Sequence, residues 1–304
     1  MPAQPTIFCN RARRIVDAAF IKVAGKLLFF SHLRPFSYWD NYYGEHPEIT
    51  EAFFRLLHYP TLQKYDNKGF IASKINSLNI SDLFPASFTS VSDALDSPNA
   101  TNKIWFIKPT CSTSGKGIQC LTAQELVEFQ LPPHHIIQEQ VAGIELINAH
   151  KYTARAYVLI YDKRVFLFDD GFVMIHSVPY SENATDFAVQ VDHSGYTEVG
   201  SAIKMMRTAE LPNFELKLAQ LKQKISLLKP VLSELIAASS TREYGLLGID
   251  LLFDKHHNPT LIEINSKANF VHTDTINYSL NIPFFAAVIG TLYTHIKDPR
   301  LIEI

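Results

Sequence analysis

Apolar runs broken by turn-forming residues divide the chain into alternating strands and helices. Residues 27–30 read as a buried strand, and 48–58 as a short helix placed between Pro47 and Pro60. After Asn67-Lys68-Gly69, the residues Phe70, Ile71, Ile75 and Leu78 recur at helical spacing. Four apolar residues in a row, Ile104 to Ile107, predict a strand over 103–109. A return strand is expected at 118–121, and a helix over 122–129 opened by a capping box of Thr122 and Glu125. Residues 136–141 predict a further strand, ended by Gly143. Residues 152–161 and 164–170 form a hairpin over Asp162-Lys163, continued through 171–177. The stretch 179–200 is polar and irregular, a length that in a compact domain usually serves function. The longest helical pattern covers 214–238, and Pro230 is expected to kink or split it. A closing helix is expected at 281–296, with Pro283 in its first turn.

The stretch 248–265 is the most chemically specific. It predicts two strands with a turn at His257-Asn258-Pro259. Ile249, Leu251 and Phe253 alternate with Asp250 and Leu252, while Leu261, Glu263 and Asn265 are expected on one face. An Asp, a Glu and an Asn aimed at one place offer oxygen ligands only, which suits Mg²⁺ carrying a nucleotide phosphate. The alternative is a half-buried hairpin with solvated acids. Against it stand two acids embedded between Ile and Leu, since unpaired acids are rarely buried.

Composition narrows the field without naming a function. The chain has 304 residues, enough for one large or two to three small domains. At 47% hydrophobic and 19% charged it is not a mainly disordered chain. A net charge of −2 gives no electrostatic case for nucleic acid or an anionic membrane, so neither is expected as a partner. Cys9, Cys111 and Cys120 form no CxxC and read as reduced thiols in a cytoplasmic protein. Lys22, Gly25 and Lys26 interrupt the apolar residues of 18–30, so no secretory signal is expected there. The apolar run 282–293 is too short to span a bilayer. Phe36, Tyr38, Trp39, Tyr42, Tyr43, Phe53 and Phe54 are expected to pack between domains, with a partner-binding surface as the alternative.

A lysine inside a strand, followed by a small, hydroxyl- and glycine-rich loop and a return strand, describes a phosphate-covering hairpin. Lys108 and the loop 110–117 fit that description; backbone N–H groups of such a loop reach phosphate oxygens. It is not a Walker A loop, because Gly117 rather than Ser or Thr follows Lys116. Residues 138–141 offer peptide groups beside Ile136 and Ile137, a place for a flat base between apolar walls. Lys151 and Arg155 are four apart, so on a strand both share a face and can converge with Lys108 on polyphosphate. Ordinary salt bridges to solvated acids are the alternative. The histidine pairs 134–135 and 256–257 lie in turns and read as solvated, and no Ser/His/Asp or Cys/His arrangement stands out.

The order of these pieces resembles the ATP-grasp ligases, and within them the tubulin tyrosine ligase-like family. The pieces are Lys-Pro-loop-Gly-x-Gly-Ile at 108–118, Gln-Glu at 138–139, Lys-x-x-x-Arg-x-Tyr-Val-Leu at 151–159 and Gly-Phe-Val at 171–173. Ser-Val-Pro-Tyr-Ser at 177–181, a long helix, Gly-Ile-Asp at 248–250 and Ile-Glu-Ile-Asn at 262–265 complete the set. The likeness covers residues 66–275. It implies an α/β (α+β) ATP-grasp fold with antiparallel sheets and flanking helices. A small N-terminal domain would cover 1–65, a central domain 66–138 and a C-terminal domain 139–304, with ATP between the last two. Lys108 would hold the α/β-phosphates, helped by Ser114, Gly115 and Gly117, with Lys68 a weaker second lysine. Gln138, Glu139 and Val141 would frame adenine and ribose. Lys151 and Arg155 would reach the γ-phosphate and the carboxyl being activated, and Asp250, Glu263 and Asn265 would hold Mg²⁺.

The implied reaction phosphorylates a carboxylate with ATP, after which an amine attacks the acyl phosphate to form an amide bond. The partner would be an amino acid or a peptide or protein carboxylate, tubulin among them. Four departures bear on that partner. Thr153 stands where the family has an acid, Met174 where it has an arginine, Val191-Asp192-His193-Ser194 where it has His-Leu-Thr-Asn, and Ser266-Lys267-Ala268 replaces the usual residues after the metal-binding Asn. A non-catalytic ATP-binding regulatory module and an ATP-grasp small-molecule kinase are therefore carried as alternatives.

Overall fold

The computed structural model describes residues 15, 18–19, 55–57, 59–98, 100–112, 115–192, 201–241, 243–266, 268, 270, 272–294 and 297–304. The strand expected at 27–30, the aromatic cluster from Phe36 to Phe54, Cys9 and Ser114 lie outside them.

In chain order the strands are β1 (Arg55–Leu56), β2 (Ser87–Phe88), β3 (Ile104–Pro109), β4 (Gln119–Thr122), β5 (His135–Glu139) and β6 (Leu146–Ile147). Then follow β7 (His150–Tyr161), β8 (Arg164–Pro179), β9 (Lys204–Arg207), β10 (Glu243–Phe253), β11 (Pro259–Asn265) and β12 (Leu301–Glu303). They make two sheets with flanking helices, an α+β arrangement. The smaller sheet runs β2-β5-β3-β4, antiparallel throughout. The larger has eight strands along the path β1-β10-β7-β8-β12, with β11 on β10, β6 on β7 and β9 on β8. Among the described pairs, β1 with β10 is the parallel one.

The larger sheet is buried on both faces, which is why its strands read as continuous apolar runs rather than alternations. In β7 the even positions Ala154, Ala156, Val158 and Ile160 join one core with Leu218, Leu221 and Ile225 of the helix Phe214–Leu228. The odd positions Tyr157, Leu159 and Tyr161 face a second core with Phe284, Phe285 and Val288 of the helix Ile282–Ile289. As expected, the pattern at 214–238 is split. Pro230 has no N–H for an i−4 carbonyl, and the chain restarts as Ser233–Ala238. One residue of the first helix breaks the apolar stripe. Lys217 is fully buried, its Nζ 3.1 Å from Glu145 Oε1 and 2.6 Å from the Pro212 carbonyl. His257, expected to be solvated, lies 3.3 Å from the same Nζ through its Nδ1.

Two sequence expectations change. The helix expected at 48–58 is not seen in its described part, where Arg55–Leu56 is a strand; a helix begins instead at Tyr59 and runs to Gln63. Pro60 therefore starts a helix rather than ending one, as its fixed φ and missing N–H allow in a first turn. The closing helix, expected at 281–296, begins earlier, at Asp274. The helical stretch Asp274–Leu292 has 19 residues and is long and apolar enough to cross a membrane by length and composition. Ile276, Leu280, Phe284 and Val288 on it are buried in the second core.

The smaller sheet explains the placement of Lys108. Trp105 and Ile107 pack against Ala94, Ala123 and Leu126 on one face. Ile104, Phe106 and Lys108 take the other face by strand alternation, with Cys120 of β4 beside them. The capping box at Thr122 is present, with Thr122 N–H donating to Glu125 Oε2 at 2.7 Å and Glu125 N–H to Thr122 Oγ1 at 3.2 Å.

Candidate active site

The lysine-bearing face of the smaller sheet and one face of the larger sheet flank an open cleft, about 750 Å³ with the solvent at its mouth included. Gly115, Lys108, Gln138, Glu139, Val141, Lys151, Asp250 and Glu263 all line it. Lys68, Arg155 and Asn265 stand one step outside, each bonded to a lining residue. Lys68 Nζ donates to Glu263 Oε1 at 2.9 Å, and Asn265 Nδ2 to Asp250 Oδ2 at 3.1 Å. Arg155 grips Asp250 with two bonds, Nε to Oδ1 at 2.6 Å and Nη2 to Oδ2 at 2.8 Å. Gly117 does not line the cleft. It sits in the left-handed region at φ +77, where a Cβ would come 3.0 Å from Pro109 Cγ, so it shapes the loop.

The acids converge through a bulge that sequence spacing did not reveal. Asp250 pairs with Glu263, but the next partners are Leu251 and Leu261, so Ile262 is the extra residue in β11. Leu261 therefore turns into the first core with Ile249 and Leu251, away from Glu263, instead of sharing its face. Ile262 and Glu263 both line the cleft, as does Leu252, which pairs with Thr260. Two carboxylates and one amide are an oxygen donor set of the kind hard cations take. Among the described residues no cluster of three His, Cys, Asp or Glu competes with it.

The cations show the complementary pattern. Lys108 Nζ donates to Gln138 Oε1 at 2.5 Å, and Lys151 Nζ to the Gln190 carbonyl at 2.7 Å. Neither has a carboxylate partner among the described residues, and both are buried. Burial pushes Lys108 down to about 8, with the charge of Lys68 adding to the effect and that of Glu263 opposing it. Burial likewise pushes Lys151 down to about 7, and Lys108 adds to it. Asp250 and Glu263 already carry Arg155 and Lys68, so the two further lysines leave the cleft with an excess of positive charge. That excess suits a polyphosphate, whose remaining charge is negative even with one divalent cation bound.

Several lining residues were not singled out in the sequence. The Phe106 ring centroid lies 5.3 Å from Lys108 Nζ and 5.5 Å from Lys151 Nζ, so one aromatic ring serves both cations. Its position two before Lys108 on a strand was the signal. Glu139 turns its carboxylate to Lys103 at 2.5 Å, and its N–H donates to the Ala86 carbonyl at 3.0 Å. Gln140 donates to the Tyr180 hydroxyl and the Glu182 carbonyl. Thr153 lines the cleft, whereas its cross-strand neighbour Met174 is buried in the second core.

Residues 56–196 match the profile of the tubulin-tyrosine ligase family. The chain is 24% identical over 207 residues to tubulin glycylase 3D of Tetrahymena thermophila, covering 59% of this chain and 20% of that protein. It is 23% identical over 298 residues to the human tubulin polyglutamylase TTLL7, covering 81% and 33%. Against the probable tubulin polyglutamylase ttll-9 of Caenorhabditis elegans it is 25% identical over 278 residues, covering 81% and 65%. The chain thus spans between about a fifth and two thirds of the length of these relatives.

Proposed function

We infer that this chain, a member of the tubulin-tyrosine ligase-like family of ATP-grasp proteins, is an ATP- and Mg²⁺-dependent carboxylate–amine ligase that adds an amino acid to a protein or peptide. The observation that carries the reading is the pairing of two buried, carboxylate-free lysines, Lys108 and Lys151, with an Asp250–Glu263–Asn265 oxygen set across one cleft. When bound, Mg·ATP supplies the phosphoryl group that turns a carboxylate into an electrophile.

The chain's own residues prepare that chemistry. Lys108 and Lys151 bind phosphate oxygens from a dry wall, where each charge acts more strongly than in water. The backbone of 138–141, with Leu252 and Ile262, gives the base a flat apolar slot. Asp250 and Glu263 face a common point and present oxygens to the cation. Arg155 and Lys68 hold those carboxylates in place and offset their mutual repulsion. The attacking amine loses its proton to water or to the departing phosphate, so the ligation step balances without a dedicated protein base.

Acceptor choice is the part of the reading with the least charge behind it. Between Lys151 and Arg155, Thr153 stands in place of the family's acid, and the buried Met174 across from it in place of the family's arginine, which favours an acceptor unlike the family's usual one. The deciding experiment incubates the protein with Mg·ATP and tubulin, acidic peptides or free amino acids. It follows ADP release and product mass. An aminoacyl mass increase with stoichiometric ADP supports ligation. A phosphorylated product without an amide supports a small-molecule kinase, and ATP binding without turnover supports a regulatory module. No shift in melting temperature with Mg·ATP would remove all three.

The depressed lysines predict a pH signature for binding. A phosphate beside Lys108 and Lys151 favours their charged forms, so their pKa values rise on binding from about 8 and about 7. Nucleotide binding at pH 8 is therefore expected to take up about one proton. Affinity should be flat below pH 7 and fall above it. The ligand-free fold should show the opposite trend from these groups, gaining stability as pH rises from about 7 toward the unfolded lysine value. Titration calorimetry in buffers of different ionisation enthalpy measures the uptake, and zero uptake at pH 8 contradicts the assignment of both lysines.

A further inference from the structure

The segment 180–192 crosses the cleft from one sheet to the other. At one end Tyr180 N–H donates to the Ala149 carbonyl at 2.8 Å, beside β7. Along its length Gln140 reaches the Tyr180 hydroxyl at 3.1 Å and the Glu182 carbonyl at 2.7 Å. At its far end Val191 and Phe187 press on the glycine loop, where a Cβ on Gly115 would lie 2.8 Å from Val191 Cγ1 and 3.4 Å from Phe187. Gln190 sits inside this strap and is 2% exposed.

The Gln190 side chain has an unusual set of partners. Its Nε2 donates to the carbonyls of Ser181 at 3.0 Å and Ala184 at 2.9 Å. Those two acceptors settle the orientation of the amide, because a flipped one would set oxygen against two carbonyl oxygens. The Oε1 is then buried with no hydrogen bond of good geometry among the described residues, the Tyr180 hydroxyl being a polar neighbour of the side chain. A poorly paired buried acceptor is a cost that an apolar side chain would not carry. Against that cost, clamping the side chain fixes the main chain of the same residue, and it is the Gln190 carbonyl that receives Lys151 Nζ at 2.7 Å. Lysine has four rotatable bonds, so an ammonium at a set point needs such an anchor.

We propose that Gln190 is a positioning residue: its clamped amide presents its own carbonyl to Lys151 and so fixes that ammonium in the cleft. The proposal rests on the function inferred above only in taking Lys151 to meet phosphate. Freed from its carbonyl, Lys151 samples other rotamers. The loss falls on nucleotide affinity and the reaction step together, since Lys151 meets phosphate in both, while Lys108 and the 138–141 backbone keep part of the binding.

The test has one arm that needs no activity. Acylation of Lys151 by an amine-reactive ester, mapped by peptide mass, is compared between wild type and Gln190→Leu. It is expected to be about tenfold faster in the variant, with buried Lys217 unlabelled in both as a check on folding. Gln190→Glu, isosteric but without N–H donors, should match Gln190→Leu, and Gln190→His, with one donor kept, should fall between. The second arm measures ADP release. Gln190→Leu should lower kcat/KM for ATP about tenfold, and should cost nothing further in a Lys151→Met background. Unchanged labelling in both Gln190→Leu and Gln190→Glu overturns the proposal, as does full additivity with Lys151→Met. If wild type releases no ADP, it is the ligase reading that fails, and the labelling arm still decides the role of Gln190.

Discussion

Replacing Glu263 by glutamine should lower Mg²⁺-dependent ADP release by about 10²–10³-fold while leaving the melting transition nearly unmoved. The two halves of that expectation have separate causes. Glu263 is one of two carboxylates in the cleft's oxygen set, so the amide removes a full charge from the point where a divalent cation would sit. The fold loses little. Lys68 keeps the Ser112 carbonyl at 3.2 Å, and a glutamine oxygen can still accept its other N–H. The Glu263 side chain is 25% exposed, so the pair is partly screened and worth about 1 kcal/mol or less. A coupled ADP assay and a thermal melt on the same preparation test both halves. Full turnover in a folded variant means that the cation is held elsewhere. Loss of the fold means that Lys68–Glu263 is structural first.

Sequence spacing revealed the cleft's ends better than its middle. Lys108, Asp250 and Glu263 stood out because a charged residue inside an apolar strand has few explanations other than a site. The hairpin over Asp162-Lys163 and the break at Pro230 were legible because a turn and a missing N–H act locally. What could not be read depends on pairing partners far along the chain. The bulge at Ile262 exists only in the register of β11 against β10, and it reverses the expected direction of Leu261. Pro60 admits both a helix stop and a helix start, and the parallel pairing of Arg55–Leu56 with β10 resolves it toward a start. Nothing in the sequence set Lys217 apart from the other helix lysines, and its proximity to Glu145 and the Pro212 carbonyl makes its burial tolerable. Gln190 lay in an irregular stretch with no periodicity to interpret.

Asp250→Ala is expected to do what Glu263→Gln does not: abolish cation-dependent turnover and also cost the ligand-free protein about 3 kcal/mol. Arg155 and Asp250 face each other across β7 and β10 with side chains 12% and 16% exposed, and they share two short bonds. Burial by itself would pull Arg155 down; the charge and hydrogen bonds of Asp250 outweigh it and raise the group above its ordinary value. Alanine leaves the guanidinium buried beside the Phe172 ring, 5.3 Å from its centroid, with no carboxylate partner of its own. Asp250→Asn keeps an acceptor and should cost roughly half as much, since the loss is then of charge and not of the whole bond. Removing the cation as well should recover stability, because a buried pair replaced on both sides costs less than one broken on one side. Asp250→Ala/Arg155→Met is thus expected to melt above Asp250→Ala while remaining inactive. Urea unfolding of the three variants gives the stabilities, and ADP release gives the activity. If Asp250→Ala is inactive yet as stable as wild type, Arg155 does not depend on Asp250 in the ligand-free protein. The carboxylate would then stand open to the cation, and nucleotide binding would have no ion pair to rearrange.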